Sequence, residues 1–549
     1  MKLVGAGVCL CFALPAHMIA QAVDGQGPGA SSPSTSSAAE RGSAGGSGPG
    51  GASRTDPQTA NKRITKAQAK ELFRSVDEIL KFDSEDTRLP IVHPVKRKLT
   101  TRDAVNKYIL KKFADDESSK RLQRSEIVLK KFGLLDRDFH LGPFLVSLLT
   151  EQIAGFYDNK TKTVNLLDWI PVEEQKPVMA HELTHALQDQ HVDLDKWDQQ
   201  GAKGIAKNAE EDNQHIATDE EDDTRDAVLE GQAMLVFADY SLKPYGKTVR
   251  TAPDMVQRLK DGMSDQGDSP VMARAPLLLQ QSLMFPYREG LSFEQALLIN
   301  RGAERAFAGT LDRPPSSSYE IMNPQAYLAH QPIPVLRLPD IHPLIDKDYG
   351  PYDVGVMGAL DVRILTQLFG GDEASSALTP AWDGGIYYAA QRKSATTDAE
   401  KDSTASLALM YFSRWKNADS ARTFARVYAD ELPRKYSNLK RRKSDEKAVG
   451  VDSASDVEEQ LYTTNEGDVA IILSGRSVFI SEGFDLALAR QLQAEVAGFQ
   501  SDGPAGIAAA GHGSDPVISE GELSLPFAAL FGQAGFLKPG LPRLSLRVQ

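Results

Sequence analysis

VMAHELTHALQDQH, residues 178–191, places three histidines and one glutamate in a short stretch of a 549-residue chain that holds ten histidines. Its apolar residues recur at the spacing of one helix face, and Pro171 upstream suits a first helical turn. We therefore predict a helix. His181 and His185 then lie one turn apart on the same face, with Glu182 beside them.

This histidine pair has the spacing of a metal site. Side chains four residues apart on a helix have Cβ atoms roughly 6 Å apart, so both imidazoles can bind one ion. Glu182 can take a proton from a water activated by that ion without being a ligand. The pattern H-E-x-x-H therefore predicts a zinc site with Glu182 as general base, and the alternative is a solvated surface helix.

Two residues are candidates for the third metal ligand. His191 stands six positions after His185, the distance used when the chain turns sharply beyond the helix, as in metzincins. That turn favours glycine at the position where Gln188 stands. The other candidate is Glu230, in DTRDAVLEGQAMLVFADY, where apolar neighbours indicate a buried helix. A buried carboxylate needs a partner, and zinc would be one, with an ordinary ion pair as the alternative.

Asp226 lies one turn before Glu230 on the same predicted helix face. Ligating histidines usually donate their second ring N–H to a carboxylate or carbonyl oxygen. We therefore consider Asp226 as the group that orients a ligating histidine, with a purely structural role as the alternative.

AHELTHALQDQH, followed by LEGQA 45 residues beyond His185, resembles the gluzincin metallopeptidases, the thermolysin-like group. GFYDNKTKTVNLLD, FPYREGLSFEQAL and RPPSSSYEIMNP are similar to a group of secreted bacterial proteins of that type, most of them uncharacterised. The resemblance covers about residues 64–327. It implies a zincin-like fold, one Zn²⁺ bound by His181, His185 and Glu230, and Glu182 as the base.

The same resemblance implies a tyrosine or histidine that stabilises the oxyanion of the reaction. The sequence does not single out this residue. We consider Tyr352 and Tyr157, each with a structural role in the core as the alternative.

The N-terminus has the pattern of an export signal. Lys2 precedes an apolar run, and Ala20-Gln21-Ala22 has the small-x-small pattern of a cleavage site. We predict a signal peptide at 1–22 and a secreted or periplasmic protein, with a membrane anchor as the alternative. Both cysteines, Cys9 and Cys11, fall in this run. The mature chain would then lack disulfides and would bind zinc through histidine and carboxylate.

The remaining sequence predicts an α+β fold in several parts. Residues 23–61 form a Gly/Ser/Pro-rich linker. Residues 62–400 form a mainly helical domain with a small antiparallel sheet, including a hairpin at GFYDNKTKTVNLL. Residues 401–500 form a small α+β domain of β-α-β-β-α order, and 501–549 a tail of low order.

Two further stretches carry local predictions. AEEDNQHIATDEEDDTRD, residues 209–226, is acid-rich, and we expect a solvated, mobile loop that acts as a lid over the metal helix, with calcium binding as the alternative. PLLLQQSLMFPYREGLSFEQALL predicts two helices broken at Pro286.

The net charge and the sequence motifs limit the classes of function that this chain can have. A net charge of −13 disfavours nucleic acid as a partner, and no stretch after the signal is long enough to span a bilayer. The sequence predicts a secreted zinc peptidase that acts on peptides or proteins. The alternative is a non-catalytic binding or scaffold protein on a peptidase fold. Glu182 favours the enzyme, because a structural zinc site needs no base. Oligomeric state stays open.

Overall fold

The computed structural model describes residues 63–113, 116–197, 204–264, 269–442 and 457–500. The predicted signal peptide, linker and C-terminal tail lie outside the described residues. The described residues form an α+β protein in which helices surround two sheets. A search of these residues found no helix with the length and apolar character needed to cross a membrane.

The ten strands are β1 Lys96–Thr100, β2 Phe156–Asp158, β3 Thr163–Leu167, β4 Tyr349–Val356, β5 Trp382–Arg392, β6 Leu407–Trp415, β7 Lys440–Arg441, β8 Val457–Thr464, β9 Gly467–Ser474 and β10 Ser477–Glu482 in the described part of the chain.

The helices up to residue 312 are α1 Lys66–Thr87, α2 Arg102–Phe113, α3 Asp116–Phe132, α4 Leu141–Gln152, α5 Val172–Val192, α6 Leu194–Trp197, α7 Ala209–Thr218, α8 Glu221–Leu242, α9 Asp254–Ser264, α10 Leu277–Arg301, α11 Ala303–Ala306 and α12 Ala308–Asp312. Those that follow are α13 Ser318–Met322, α14 Pro324–Leu328, α15 His342–Ile345, α16 Ala359–Leu378, α17 Asp398–Lys401, α18 Ala418–Lys435 and α19 Leu486–Phe499.

The smaller sheet has the order β1-β3-β2. β2 and β3 pair antiparallel, with Tyr157 opposite Val164, which confirms the predicted hairpin. β1 adds a parallel strand on the other side of β3. The sheet therefore ends at β2, and the backbone of β2 reaches α5, where the Tyr157 N–H donates to Glu182.

The larger sheet is antiparallel and has the order β4-β5-β6-β10-β9-β8-β7. It is buried on both faces at β6, where Leu409 and Tyr411 belong to one core cluster and Met410 and Phe412 to the other. The boundary predicted between residues 400 and 401 falls within this sheet, because β5 and β6 pair along their length. The predicted β-α-β-β-α order gains two strands in the described residues, since β7, β8, β9 and β10 all follow α18.

α10 is one continuous helix, so the predicted break at Pro286 is wrong. An interior proline removes one backbone hydrogen bond at a cost of about 3 kcal/mol. Here the residues on either side, Phe285 and Tyr287, are buried. Burial of these aromatic side chains offsets the local cost, and sequence propensity does not register it.

α10 crosses α8 at a pair of glycines. A Cβ atom on Gly231 would lie 2.4 Å from the Gly290 carbonyl, and one on Gly290 would lie 2.2 Å from the Ala227 oxygen. No side chain fits there, so the two helices touch through their backbones. This close approach lies next to Glu230 on α8 and fixes α10 against α8.

The acid-rich stretch is helical, and the predicted solvated loop is wrong. Asn208 caps α7 by accepting from the backbone N–H groups of Glu210 and Glu211, and the remaining acidic residues open α8. Carboxylates in a first turn stabilise a helix through its dipole, which explains why so acidic a stretch is ordered. Asp212 is buried and lies 3.0 Å from the His342 ring.

Candidate metal centre

α5 presents the first three site residues from the interior of the protein. Glu173 and Glu174 lie in its first turn, where negative charge favours the helix N-terminus. His181, Glu182 and His185 are each 0% exposed. The alternative of solvated surface histidines is therefore excluded, and three buried polar groups need an explanation.

Glu230 on α8 completes a cluster with the two histidines. Its Oε2 lies 3.0 Å from His181 Nε2 and 3.6 Å from His185 Nε2. The two Nε2 atoms are 3.1 Å apart. Four-coordinate zinc with bonds of about 2.0–2.1 Å places its ligand atoms about 3.3 Å from one another. The three buried residues therefore form a group that could hold a metal ion.

The charges within this cluster depend on one another. Burial alone would raise the pKa of Glu230, but both histidines outweigh it and lower that pKa to about 2. Burial lowers the pKa of His181, and Glu230 opposes it only in part. Burial also acts to lower the pKa of His185, but Glu230 and Glu182 raise it. Glu230 is thus held as a carboxylate, the form that binds metals.

Glu182 occupies a different environment from Glu230. Its Oε2 accepts the Tyr157 N–H at 2.7 Å, while its Oε1 is buried and has no hydrogen-bond partner among the described residues. Burial, helped by Glu230, raises the pKa of Glu182 to about 8 against the lowering effect of His185 and Tyr157. A carboxyl group with a pKa near neutrality can both accept and return a proton.

The structure brings Glu230 to the histidines and keeps His191 away. α5 stays helical to Val192, so the chain does not turn back after His185. His191 Nε2 instead lies 2.9 Å from Asp312 Oδ1. The geometry thus supports Glu230 as third ligand over the metzincin-like arrangement.

The group that contacts the second ring nitrogen of His185 is Gln188. The outward nitrogen of His185, Nδ1, contacts Gln188 Oε1 at 2.8 Å. The corresponding nitrogen of His181 has no hydrogen-bond partner within the described part of the chain. Asp226 is half-buried on α8. For His185 the orienting group is therefore Gln188, which lies on α5 itself.

The two tyrosines considered for the oxyanion have other neighbours. The Tyr157 hydroxyl donates to Asp189 Oδ2 at 2.7 Å, and only its backbone N–H reaches Glu182. Tyr352 is buried on β4, where burial and the adjacent Asp353 raise the pKa of its hydroxyl and Arg124 on α3 lowers it. The charged groups acting on Tyr352 are Asp353 on β4, Arg124 on α3 and Asp402, which directly follows α17.

Tyr287 on α10 lies near the cluster of His181, His185 and Glu230, and its place there was not predicted. Its ring is nearly parallel to the His181 imidazole, with an interplanar angle of 14° and centroids 6.3 Å apart. The glycine crossing of α8 and α10 places it there, since Gly290 lies one turn further along α10. The only sequence signal was an aromatic residue one turn before a helical glycine.

The site thus combines three convergent metal-ligand atoms, one buried carboxyl group beside them and an aromatic ring against one ligand. Each side chain is held by a helix, which favours a fixed geometry. Comparison with protein families, with curated proteins and with solved structures gave no match to this chain.

Proposed function

We propose that this protein is a zinc-dependent metallopeptidase that acts outside the cytoplasm, of the gluzincin type. His181, His185 and Glu230 are its metal ligands, and Glu182 is its general base. The observation that carries the proposal is the convergence of three buried ligand atoms beside a buried carboxyl oxygen that has no partner among the described residues.

The donor atoms suit zinc. Two imidazole nitrogens and one carboxylate oxygen are the ligand set of catalytic zinc sites with an open fourth position. If both Nε2 atoms carry lone pairs, three electron-pair donors face one another at 3.0–3.6 Å. That arrangement is repulsive by itself, and a divalent cation between the three atoms turns it into a stabilising one.

The chemistry divides between the ion and the chain. A zinc ion bound here supplies a Lewis acid that polarises a carbonyl and acidifies water. Glu182 Oε1 accepts the proton of the attacking water and returns it to the leaving nitrogen. The Tyr157 N–H holds Oε2, so that Oε1 is the oxygen that moves protons.

β2 supports a peptide as the substrate. It is an edge strand of the small sheet, and its backbone contacts the general base. Because the Tyr157 N–H is already donated to Glu182, an extended peptide beside β2 would pair with the other main-chain groups of this edge. Its amide bond would then lie next to Glu182.

The test is Glu182→Gln in the mature protein. We expect stoichiometric zinc and hydrolysis of a peptide library reduced by at least 10²-fold, since the variant keeps the shape and loses the base. The matched control is Glu174→Gln, which changes an exposed glutamate on the same helix. It should leave zinc content and peptide hydrolysis unchanged. Undiminished hydrolysis by Glu182→Gln would overturn the mechanism. Zinc binding without any hydrolysis in the wild type would favour the binding or scaffold protein.

A further inference from the structure

Gln188 is buried on α5, one turn beyond His185, and its Oε1 lies 2.8 Å from His185 Nδ1. An amide oxygen accepts hydrogen bonds and never donates them. If the oxygen faces the ring, Nδ1 must carry the proton. The tautomer of His185 therefore depends on which end of the Gln188 amide faces it.

The opposite end of that amide settles its orientation. Gln188 Nε2 lies 3.0 Å from the backbone oxygen of Leu229 and 2.9 Å from Gln232 Oε1. A backbone carbonyl only accepts, so the group facing Leu229 must be the NH₂. A flipped amide would place two oxygens against each other in a buried site, which leaves both unsatisfied.

Gln232 is oriented in the same way. Its Nε2 lies 3.0 Å from the backbone oxygens of both Ala306 and Phe307, and 2.8 Å from Thr310 Oγ1. Two carbonyl groups again require a donor, so Gln232 Oε1 faces Gln188 as an acceptor. Three backbone carbonyls thus fix the direction of the whole chain of hydrogen bonds.

We propose that the Gln188–Gln232 relay, these two amides and their carbonyl anchors, holds His185 as the Nδ1–H tautomer and so presents its Nε2 lone pair to the metal. The value of this for metal binding rests on the proposed function. His181 has no such partner on Nδ1 within the described residues, and its ring lies nearly parallel to that of Tyr287. Gln188 and Gln232 are positioning residues, one of them outside the metal helix.

The first experiment reads the tautomer directly. Nitrogen-15 chemical shifts of the His185 ring are recorded in metal-free wild-type protein, at a pH where the ring is neutral. We expect the proton on Nδ1 and a Nε2 without a proton. A ring that carries its proton mainly on Nε2 would overturn the inference. This measurement needs no variant, no bound zinc and no hydrolysis.

The second experiment measures zinc affinity by competition with a chelator. We expect Gln188→Leu to bind zinc about 10–100-fold more weakly, the usual effect of removing a group that orients a ligand. Gln188→Glu, if protonated so that its hydroxyl donates to the Leu229 oxygen, keeps an acceptor for the Nδ1 proton and should retain more of the affinity than Gln188→Leu. Gln232→Leu should give a smaller loss, because the Leu229 oxygen still orients Gln188.

Gln190→Leu is the matched control. Gln190 lies on the same helix but bonds the backbone N–H groups of Val92 and His93. Its variant should bind zinc within twofold of wild type. If folded Gln188→Leu also stays within twofold, the relay has no role in metal binding.

The two proposals fail in different ways. A wild type that binds no zinc would overturn the metal centre, while the chemical shifts would still decide the tautomer. A wild type that binds zinc and hydrolyses peptides but protonates Nε2 when metal-free would overturn the relay alone.

Discussion

Two buried clusters of charged side chains differ in how their charges are balanced. In the first, the metal cluster, His181, His185 and Glu230 converge with few donors to satisfy them. The second, the lysine cluster, joins Lys131, Lys435, Glu466 and Glu482 with two tyrosines and Arg137, and each carboxylate meets a lysine. It ties α3 and α18 to the large sheet.

Both carboxylates of the lysine cluster accept hydrogen bonds from donors within the cluster. Glu482 accepts from Lys435, Tyr428 and Tyr436, and Glu466 accepts from Lys131 and Arg137. A buried charge that is paired and hydrogen-bonded in this way needs no ligand. The comparison teaches that burial of charge alone does not mark a functional site. Convergence of electron-pair donors, as in His181, His185 and Glu230, is what makes a group that could hold a metal ion.

The largest effect should follow from removing a metal ligand. Glu230→Ala takes away the carboxylate between the histidines, and we expect zinc content to fall from one per chain to near zero. His191→Ala is the control and should keep its zinc, since His191 pairs with Asp312. Metal analysis of folded, purified protein measures both. The reverse result would restore the metzincin-like arrangement.

Breaking the lysine cluster should lower the free energy of unfolding without changing zinc binding. Lys435→Met leaves Glu482 buried without its lysine, and we expect a loss of about 3–5 kcal/mol in the free energy of unfolding. Arg422→Met, which removes an exposed pair with Asp419, should cost less than about 1 kcal/mol. Denaturant titration measures both, and equal losses would contradict the distinction between buried and exposed pairs.

Two buried carboxyl groups, Glu482 in the lysine cluster and Glu182 beside the metal cluster, should respond to pH with opposite signs. Lys435 and Lys131 outweigh burial and hold the pKa of Glu482 below its usual 4.5. Its stabilising contribution is therefore present above about pH 4.5 and is lost as pH falls through the lowered pKa.

Glu182 behaves oppositely in the metal-free protein, because burial raises its pKa to about 8. The folded state binds a proton that the unfolded state releases, so stability falls by as much as a few kcal/mol between about pH 4.5 and 8. Glu182→Gln should flatten this slope. The free energy of unfolding of chelator-treated wild type and Glu182→Gln is measured by denaturation across this pH range. Equal slopes against pH for the two proteins would contradict the prediction.

The smallest of these effects should come from the helix crossing. A Cβ atom on Gly290 would lie 2.2 Å from the Ala227 oxygen, so Gly290→Ala must move α10 away from α8. We expect about 1–3 kcal/mol of destabilisation and weaker zinc binding. Gly142→Ala is the control, since its Cβ would meet Leu122 at an ordinary 3.6 Å. Thermal unfolding compares the two, and an equal effect would contradict the role of the crossing.

Local sequence determined several features of this protein. The spacing of His181 and His185 predicted their shared helix face, and alternating residues predicted the hairpin of β2 and β3. Both signals come from residues within a few positions of one another, where backbone periodicity is fixed. The α+β class followed from the same periodicity. The zincin-like fold, the gluzincin assignment and the export signal stay predictions.

Only the tertiary structure decided the contacts between distant residues. Glu230, and not His191, lies against the two histidines of α5. The Tyr287 ring lies near His181, and Gln188 donates a hydrogen bond to Gln232. The tertiary structure also kept α10 continuous through Pro286, because packing outweighed a local preference. The sequence alone predicted the local structure that residues close together in the chain form, such as the helix face and the hairpin. Which distant groups meet depends on how the helices cross, and two glycines without side chains set that crossing beside the candidate metal centre.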